Sequence, residues 1–276
     1  MPRIDAHQHF WQYTPEDYGW IDNEMSLLRR DFLPQDLQAH LNEHQLDGCI
    51  AVQARQSPEE NEFLLKLAAQ YTFIKGVVGW VDLQSAVVHA ALEEYSTQPT
   101  LKGFRHVLQG EANRKLMLEK PFMNGIASLA KYGFTYDILI FPDQLPHTVD
   151  FVRHFPDQLF VIDHLAKPYI KAGQMEPWKQ YMQQLAGFEN VYCKLSGMVT
   201  EAAWQGWTYA QLAPYLQVVT EAFGTNRLMY GSDWPVCLVA ALYNEVIGVV
   251  KQFFEQGSIT EQQAIFGGNA ARFYQL

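Results

Sequence analysis

Two histidines near the start of the chain, His7 and His9, stand two residues apart in the stretch PRIDAHQH. Apolar and small residues alternate with polar ones here, as is typical of a β-strand. On a strand, residues i and i+2 share a face about 7 Å apart, so both imidazoles would converge on one ion or one substrate. Asp5 would share this face one layer deeper, as a structural residue. The same spacing also arises by chance on a half-exposed strand.

Further polar residues lie where other apolar, β-branched stretches end. The stretch DHLAKP contributes Asp163 and His164, and YGSDWP contributes Asp233 and Trp234. The other residues at such ends are Gln53, Trp80, Asp82, Arg105, His106, Asp137, Lys194 and Ser196. Burying these groups without partners costs free energy, so partners or a bound ligand are expected. A paired histidine motif with a third histidine and an aspartate at strand ends favours a functional site over structural histidines.

Eight strand-like segments position these residues. They span residues 3–10, 47–54, 73–82, 101–108, 134–141, 159–167, 191–198 and 227–235. Intervals of roughly 25 to 45 residues leave room for a helix each time, which indicates βα repetition and a parallel sheet. No G-x-G-x-x-G follows a strand, so a closed (β/α)8 barrel is favoured over an open doubly wound sheet. We predict one such domain over residues 1–276.

The predicted helices carry start signals. Residues 57–60 (Ser-Pro-Glu-Glu) and 260–263 (Thr-Glu-Gln-Gln) predict capping boxes, and residues 34–44 predict an amphipathic surface helix.

The active site of such a barrel lies at the carboxyl ends of the strands, but the lumen-facing residues are harder to assign. Neighbours on a regular strand face opposite sides, so only one of Asp163 and His164 would enter the lumen. The same alternative stays open for two further pairs, Arg105 with His106 and Cys193 with Lys194.

Composition limits the classes of partner. The formal net charge of −10 argues against nucleic acid and anionic membrane surfaces. The three cysteines, Cys49, Cys193 and Cys237, are odd in number and far apart, which indicates buried free thiols in a reducing compartment. We expect no secretory signal at the start of the chain, and no run approaches the ~18 apolar residues of a membrane span. We expect a cytoplasmic protein that acts on a small molecule; the sequence is compatible with a homo-oligomer.

Six motifs spread over nearly the whole chain resemble those of the amidohydrolase superfamily. They are IDAHQHFW (4–11), GVVGWVDL (76–83), DHLAKP (163–168), CKLSG (193–197), YGSDWPV (230–236) and IFGGNAARFY (265–274). Within it, the chain resembles the amidohydrolase 2 branch, which contains L-fuconolactone and L-rhamnonolactone hydrolases and pyrone-dicarboxylate lactonase. The resemblance implies a distorted (β/α)8 barrel and hydrolysis, or a related reaction, at a carbonyl-type centre.

The resemblance also implies roles for individual residues. His7 and His9 match the paired histidines of the first strand, His164 the later strand histidine, and Asp233 the aspartate of the last strand. In many members these four positions bind one divalent metal, commonly zinc, and the aspartate also accepts a proton. Arg105 occupies the strand in which binuclear members carry a carboxylated lysine, so a two-metal centre is not expected. Some members of the lactonase branch work without metal, so metal-independent catalysis stays open.

We therefore predict a hydrolase that opens a sugar-acid lactone, such as L-fucono- or L-rhamnonolactone, in monosaccharide catabolism. A zinc ion would supply hydroxide, while Asp233 takes and returns the proton; without metal, the three histidines would polarise the carbonyl. The residues expected to bind substrate are Arg105, Lys194, Asp137, Gln53 and Trp234. The alternatives are a dicarboxylate lactonase, a metal-dependent decarboxylase and a non-catalytic sugar-binding barrel. A dicarboxylate lactonase would need more arginines in the loops than this sequence has.

Overall fold

Eight parallel strands form one sheet whose spatial order follows the chain; the computed structural model describes residues 1–276. The strands are β1 (Ile4–Gln8), β2 (Gly48–Val52), β3 (Ile74–Gly79), β4 (Leu101–His106), β5 (Thr135–Ile138), β6 (Phe160–Ile162), β7 (Val191–Leu195) and β8 (Leu228–Tyr230). Each lies inside a segment predicted as a strand. The strands are mostly apolar because helices cover one face of the sheet and the barrel lumen takes the other.

Helices follow each strand and confirm the predicted (β/α)8 barrel. They are α1 (Pro34–Glu43), α2 (Pro58–Gln70), α3 (Val88–Tyr95), α4 (Lys120–Leu129), α5 (Leu145–Arg153), α6 (Trp178–Ala186), α7 (Met198–Glu201), α8 (Tyr209–Phe223), α9 (Tyr243–Phe253), α10 (Ile259–Gln263) and α11 (Asn269–Phe273). Helix α1 buries Leu37 and Leu41, the apolar stripe that its sequence predicts. None of these helices has both the length and the apolar character needed to cross a bilayer.

The predicted helix starts need correction in two places. Ser57 accepts a hydrogen bond from the Glu60 N–H at 3.3 Å, but the Glu60 carboxylate turns back to the β2–α2 loop and completes no capping box. Helix α10 begins two residues earlier than predicted, with Ser258 rather than Thr260 as its cap. Ser258 and Glu261 exchange the two capping hydrogen bonds at 3.3 and 2.9 Å. Both serine and threonine are good caps, so residue type alone could not decide.

A small apolar cluster fills the amino-terminal end of the lumen. Its members are Ile4, Ala6, Ile50, Val52, Val78, Val161, Met229, Ala270, Phe273 and Tyr274. The last three come from α11 and the residue that follows it, so this helix closes the bottom of the barrel. The polar residues of the lumen lie above this plug, towards the carboxyl ends of the strands.

A bulge in β1 decides which of its residues enter the lumen. Three steps along β1, from Asp5 to Gln8, lie opposite only two steps along β2, from Cys49 to Ala51. The extra residue breaks the strict alternation of faces. The Asp5 carboxylate therefore accepts a hydrogen bond at 3.0 Å from Tyr243 of the outer helix α9, so the expectation that it shares the face of His7 is wrong.

The barrel closes between its first and last strands just beyond the end of β8. Gln8 and Trp234 form a parallel bridge, and the Asp233 N–H donates to the His7 carbonyl at 2.8 Å. The His9 N–H donates to the Trp234 carbonyl at 2.7 Å. The closing contact of the barrel thus fixes the two histidines of β1 next to Asp233.

Candidate active site

His7 and His9 lie at the carboxyl end of β1 and point into the lumen together. The His7 side chain is fully buried, and His9 is 4% exposed. Their Nε2 atoms are 3.2 Å apart, so the two ring ends converge far more closely than the strand spacing alone requires. This convergence brings two nitrogen lone pairs to one point.

Asp233 approaches the same point from the residues that follow β8. Its Oδ1 atom lies 3.4 Å from Nε2 of His9 and 3.8 Å from Nε2 of His7. Its backbone has φ 57°, in the left-handed region that few residues other than glycine adopt, although aspartate is among them. The hydrogen bonds of the barrel seam hold this conformation, and strain of this kind is typical of functional sites.

His164 completes the cluster from an unusual turn after β6. Four consecutive residues, 164–167, have φ between 50° and 55°, so the chain makes a left-handed turn immediately after the strand. His164 Nε2 lies 3.9 Å from Asp233 Oδ1. Because the strand ends at Ile162, Asp163 also points inward and lies 3.3 Å from Nδ1 of His7. The expectation that only one of Asp163 and His164 enters the lumen is therefore wrong.

Two glycines make room for these rings. A Cβ atom on Gly197 would lie 2.6 Å from Nδ1 of His164, and one on Gly231 would lie 2.6 Å from Cβ of His7. Both contacts are shorter than real side chains tolerate. The glycines of the motifs CKLSG and YGSDWPV are thus required by the packing of the histidine–aspartate cluster, as we name His7, His9, His164 and Asp233.

Each histidine of the cluster has its Nδ1 atom against an acceptor. His9 Nδ1 lies 2.7 Å from the Val52 carbonyl, and His164 Nδ1 lies 2.8 Å from Oγ of Ser196. His7 Nδ1 lies 3.3 Å from the Asp163 carboxylate and 3.2 Å from the Lys194 ammonium. With the proton on Nδ1, each imidazole turns its Nε2 lone pair toward the cluster, as metal-binding histidines do.

The cluster has the dimensions of a divalent metal site. Nitrogen and oxygen ligands about 2.0–2.1 Å from a tetrahedral ion lie ~3.3 Å from one another. The measured separations between Nε2 atoms and Asp233 Oδ1 run from 3.2 to 3.9 Å. One buried group, His7, His164 and Asp233, already offers three ligand atoms within 4.8 Å of one another. Three imidazole nitrogens and a carboxylate at these separations form a donor set that zinc takes in proteins.

Burial and charge set the protonation of the cluster. Burial lowers the pKa of His164 to about 4 and holds the pKa of His7 well below its ordinary value, although Asp163 opposes this for His7. Burial alone would raise the pKa of Asp233, but the three adjacent histidines outweigh it and hold the pKa below its usual range. At neutral pH His7 and His164 are therefore neutral and Asp233 is ionised, and these are forms that bind a cation.

A second group of charges lies one layer deeper, and we name Asp137, Lys194, Asp163 and Arg105 the buried ion network. Lys194 Nζ lies 2.5 Å from Asp137 and 3.0 Å from Asp163. Arg105 Nη1 donates to Asp163 at 3.0 Å, and its Nη2 donates to the Gln53 carbonyl. Burial would raise the pKa of Asp163, but the Lys194 charge with His7 and Arg105 holds it well below its usual value. Two carboxylates thus balance two cations, and all four side chains are 4% exposed or less.

The sequence left two further pairs open, Arg105 with His106 and Cys193 with Lys194, and the structure shows which member of each enters the lumen. Arg105 and Lys194 enter the lumen, whereas His106 pairs with Glu111 at 2.7 Å and Cys193 packs in the outer core.

A cavity of about 400 Å³ opens above the cluster. Its wall includes three members of the cluster, His9, His164 and Asp233, together with Arg105. The remaining lining residues are Asp17, Gly19, Trp20, Met25, Ala54, Arg55, Gln56, Val107, Gln109, Leu139, Lys167 and Val236. The volume is in the range of small-molecule sites.

Four residues predicted to bind substrate do not reach this cavity. Gln53, Asp137 and Lys194 are fully buried and take part in the buried ion network or in hydrogen bonds to it. Trp234 is 2% exposed and packs edge-on against Phe32. None of these four side chains forms part of the cavity wall. Only Arg105 of the predicted substrate-binding residues lines it.

Several cavity residues were missed by sequence reasoning. Arg55 and Gln56 lie three and four residues beyond the end of β2, so their position after a strand end was the available signal. Lys167 belongs to the left-handed turn, and Trp20 lies on the long loop after β1, where periodicity gives no information. Arg55 is held by Asp17 at 2.5 Å and by Glu60 at 3.1 Å, so it is fixed in the wall.

The geometry can be compared with known proteins. A protein from Burkholderia multivorans, L-fucono-1,5-lactonase, is 40% identical over 99% of this chain and 96% of its own. A protein of the same name from Burkholderia ambifaria is 35% identical over 99% and 96%. A crystal structure of an amidohydrolase from B. multivorans with bound zinc superposes with a TM-score of 0.95 at 40% identity, covering both chains fully. The family model described as "Amidohydrolase" matches residues 4–276. The chain is therefore a member of the amidohydrolase family.

Proposed function

We propose that this protein is a zinc-dependent lactonase that hydrolyses a sugar-acid lactone of the L-fuconolactone type to the free acid. The observation that carries the proposal is the convergence of three anchored Nε2 atoms and the Asp233 carboxylate on one point below a cavity. Two relatives named L-fucono-1,5-lactonase support the substrate class. The zinc bound in the B. multivorans structure supports the metal.

His7, His9, His164 and Asp233 would hold the ion. When bound, zinc polarises a carbonyl and lowers the pKa of a water molecule to about 7. The Asp233 carboxylate takes the proton of the attacking water and returns it to the ring oxygen as the acyl–oxygen bond breaks. One water is consumed, and one hydroxy acid is released.

Arg105 is placed to hold a substrate oxygen. Its Nη1 lies 3.0 Å from Asp163 and 3.3 Å from Nε2 of His7, so the guanidinium reaches the edge of the cluster. Because Arg105 also lines the cavity, an N–H at this edge can donate to a lactone oxygen beside the cluster. A fixed donor of this kind stabilises charge that develops during the attack.

The charges of the wall favour a neutral substrate over a dicarboxylate. Three cationic side chains line the cavity, and each already faces a carboxylate of the protein. Arg105 pairs with Asp163, and Lys167 pairs with Glu201 at 3.2 Å. Arg55 pairs with two carboxylates. A dianionic substrate would find no cation without a partner, whereas the hydroxyls of a sugar lactone need only polar contacts.

We also propose that the protein works in the cytoplasm, where its three free and buried cysteines stay reduced.

The test is proton release in weak buffer with a panel of freshly prepared lactones. The panel contains L-fucono-, L-rhamnono-, D-arabinono- and galactonolactones, and the protein is assayed zinc-loaded and after treatment with a chelator. We expect turnover of a few stereochemically related lactones, lost on chelation and restored by zinc. Asp233→Asn is the control and should be inactive. Silence of the zinc-loaded protein across the panel would overturn the lactonase proposal and favour decarboxylation, detected as carbon dioxide.

A further inference from the structure

The helix that plugs the barrel also reaches its polar centre. Tyr274 follows α11 directly and is 1% exposed. Its hydroxyl lies 2.9 Å from one oxygen of the Asp137 carboxylate and 3.1 Å from the other. A carboxylate only accepts, so the tyrosine donates. A residue from the closing helix thus fixes a carboxylate inside the lumen.

Asp137 in turn holds Lys194. The ammonium of Lys194 lies 2.5 Å from Asp137, 3.0 Å from Asp163 and 3.2 Å from Nδ1 of His7. The side chains of Lys194 and both carboxylates are completely buried. Lys194 therefore has three polar neighbours and no exposed surface, and the position of its charge decides which hydrogen bonds the others make.

The contact between Lys194 and His7 matters for the cluster above. If Lys194 donated to Nδ1 of His7, the imidazole proton would sit on Nε2 and block its lone pair. If Lys194 stays on the carboxylates, Nδ1 carries the proton and donates to Asp163, which lies 3.3 Å away. Only the second arrangement leaves His7 Nε2, which lies 3.3 Å from Arg105 Nη1, with a lone pair that can bind a metal.

We propose that Tyr274 is a positioning residue for the metal site, acting through Asp137 and Lys194 on His7. The tyrosine hydroxyl holds the Asp137 carboxylate where it draws the Lys194 ammonium away from Nδ1 of His7. The inference rests on the proposed metal site but not on the identity of the lactone. The tyrosine touches neither substrate nor metal, and its effect reaches the cluster across two buried side chains.

The test removes one hydroxyl and measures metal binding. Tyr274→Phe keeps the ring that packs in the barrel floor and deletes the hydrogen bonds to Asp137. Zn²⁺ affinity is measured by chelator competition on the metal-free protein, and the visible spectrum of Co²⁺-loaded protein reports ligand geometry. We expect about threefold to tenfold weaker Zn²⁺ binding and a shifted Co²⁺ spectrum, below the ~10–100-fold loss typical of a group bonded directly to a ligand.

The matched control is Tyr136→Phe. Tyr136 precedes Asp137 on β5, is equally buried, and packs against Phe122 and Phe151 on the helix side. It should change neither Zn²⁺ affinity nor the Co²⁺ spectrum. If Tyr274→Phe behaves like Tyr136→Phe in both measurements, the tyrosine is a structural plug only and the proposal is overturned.

A double-mutant cycle tests the route. If Tyr274 acts through Asp137, adding Tyr274→Phe to Asp137→Asn should weaken Zn²⁺ binding no further. Additive losses would overturn the route through Asp137. Zn²⁺ binding is read without any lactone, so failure of the proposed reaction leaves this test intact. A Zn²⁺-binding protein that turns over no lactone would contradict the proposed function alone.

Discussion

The histidine–aspartate cluster and the buried ion network lie one layer apart in the same lumen and use similar side chains, yet they are built oppositely. In the network every charge has a counter-charge: Lys194 faces two carboxylates and Arg105 faces one. In the cluster three imidazoles and a single carboxylate turn toward one point. The network balances two cations with two carboxylates, whereas the cluster gathers a donor set that suits a metal ion. The difference marks the upper layer as the binding centre.

The same substitution in the two layers should separate their roles most sharply. Asp233→Asn should lower kcat/KM by about 10³-fold or more, because it removes the proposed base and a metal ligand. Its free energy of unfolding, in the metal-free state, should fall by less than that of Asp163→Asn, since Asp233 faces imidazoles and asparagine also tolerates the left-handed backbone of this position. Lactone turnover and urea unfolding measure the two effects.

Asp163→Asn should behave differently. It leaves Lys194 and Arg105 with one carboxylate fewer in a dry site, which costs ~3–5 kcal/mol of stability when a buried charge loses its partner. Equal stability losses for Asp163→Asn and Asp233→Asn would contradict the proposed distinction between the layers.

Lys194→Met is the next largest expected effect. Methionine fills a similar volume but leaves Asp137 and Asp163 facing each other without their shared cation, so stability should fall by about 3–5 kcal/mol. Adding Asp137→Asn should restore part of this loss, because one of the unbalanced charges disappears. A double variant less stable than Lys194→Met alone would show that the network is not held by charge balance. Urea unfolding of metal-free protein measures both.

The sequence predicts much of this arrangement, for physical reasons. The eight strands follow from apolar runs at regular intervals, and barrel geometry then places polar residues at their ends together. His7, His9, His164 and Asp233 meet as expected because each lies at or just beyond the carboxyl end of its strand.

Depth within the lumen was not predictable from the pattern. A strand period gives the face of a residue but not its layer, so Lys194 and Asp137 were expected to contact substrate and lie instead beneath the cluster. The left-handed turn after β6 breaks the alternation that separated Asp163 from His164. Loop residues such as Arg55 have no periodic signal at all.

The pH dependence of stability sharpens the comparison further. Burial lowers the pKa of His164 from 6.5 to about 4, so between these values the unfolded chain binds a proton that the folded, metal-free protein does not. Stability therefore falls as the pH drops through this window, by up to about 3 kcal/mol. Urea unfolding between pH 7 and pH 4.5 measures the slope. His164→Asn should reduce it, whereas the exposed His154→Asn should not; equal slopes for wild type and His164→Asn would contradict the assignment.

The smallest expected effect concerns Arg55 in the cavity wall, whose guanidinium is held by two carboxylates and still lines the cavity. Arg55 is anchored by Asp17 and Glu60, so its guanidinium can donate to a substrate hydroxyl without reorganising. Arg55→Met should raise KM about tenfold, the loss of one hydrogen bond to a charged group, and leave kcat within about threefold because the cluster is untouched. Arg114→Met is the control, since Arg114 pairs with Asp143 outside the cavity lining. A loss of kcat with unchanged KM would instead show that Arg55 takes part in the reaction at the cluster. That result would contradict the proposed division between a cavity wall that binds substrate and a cluster that carries out the reaction.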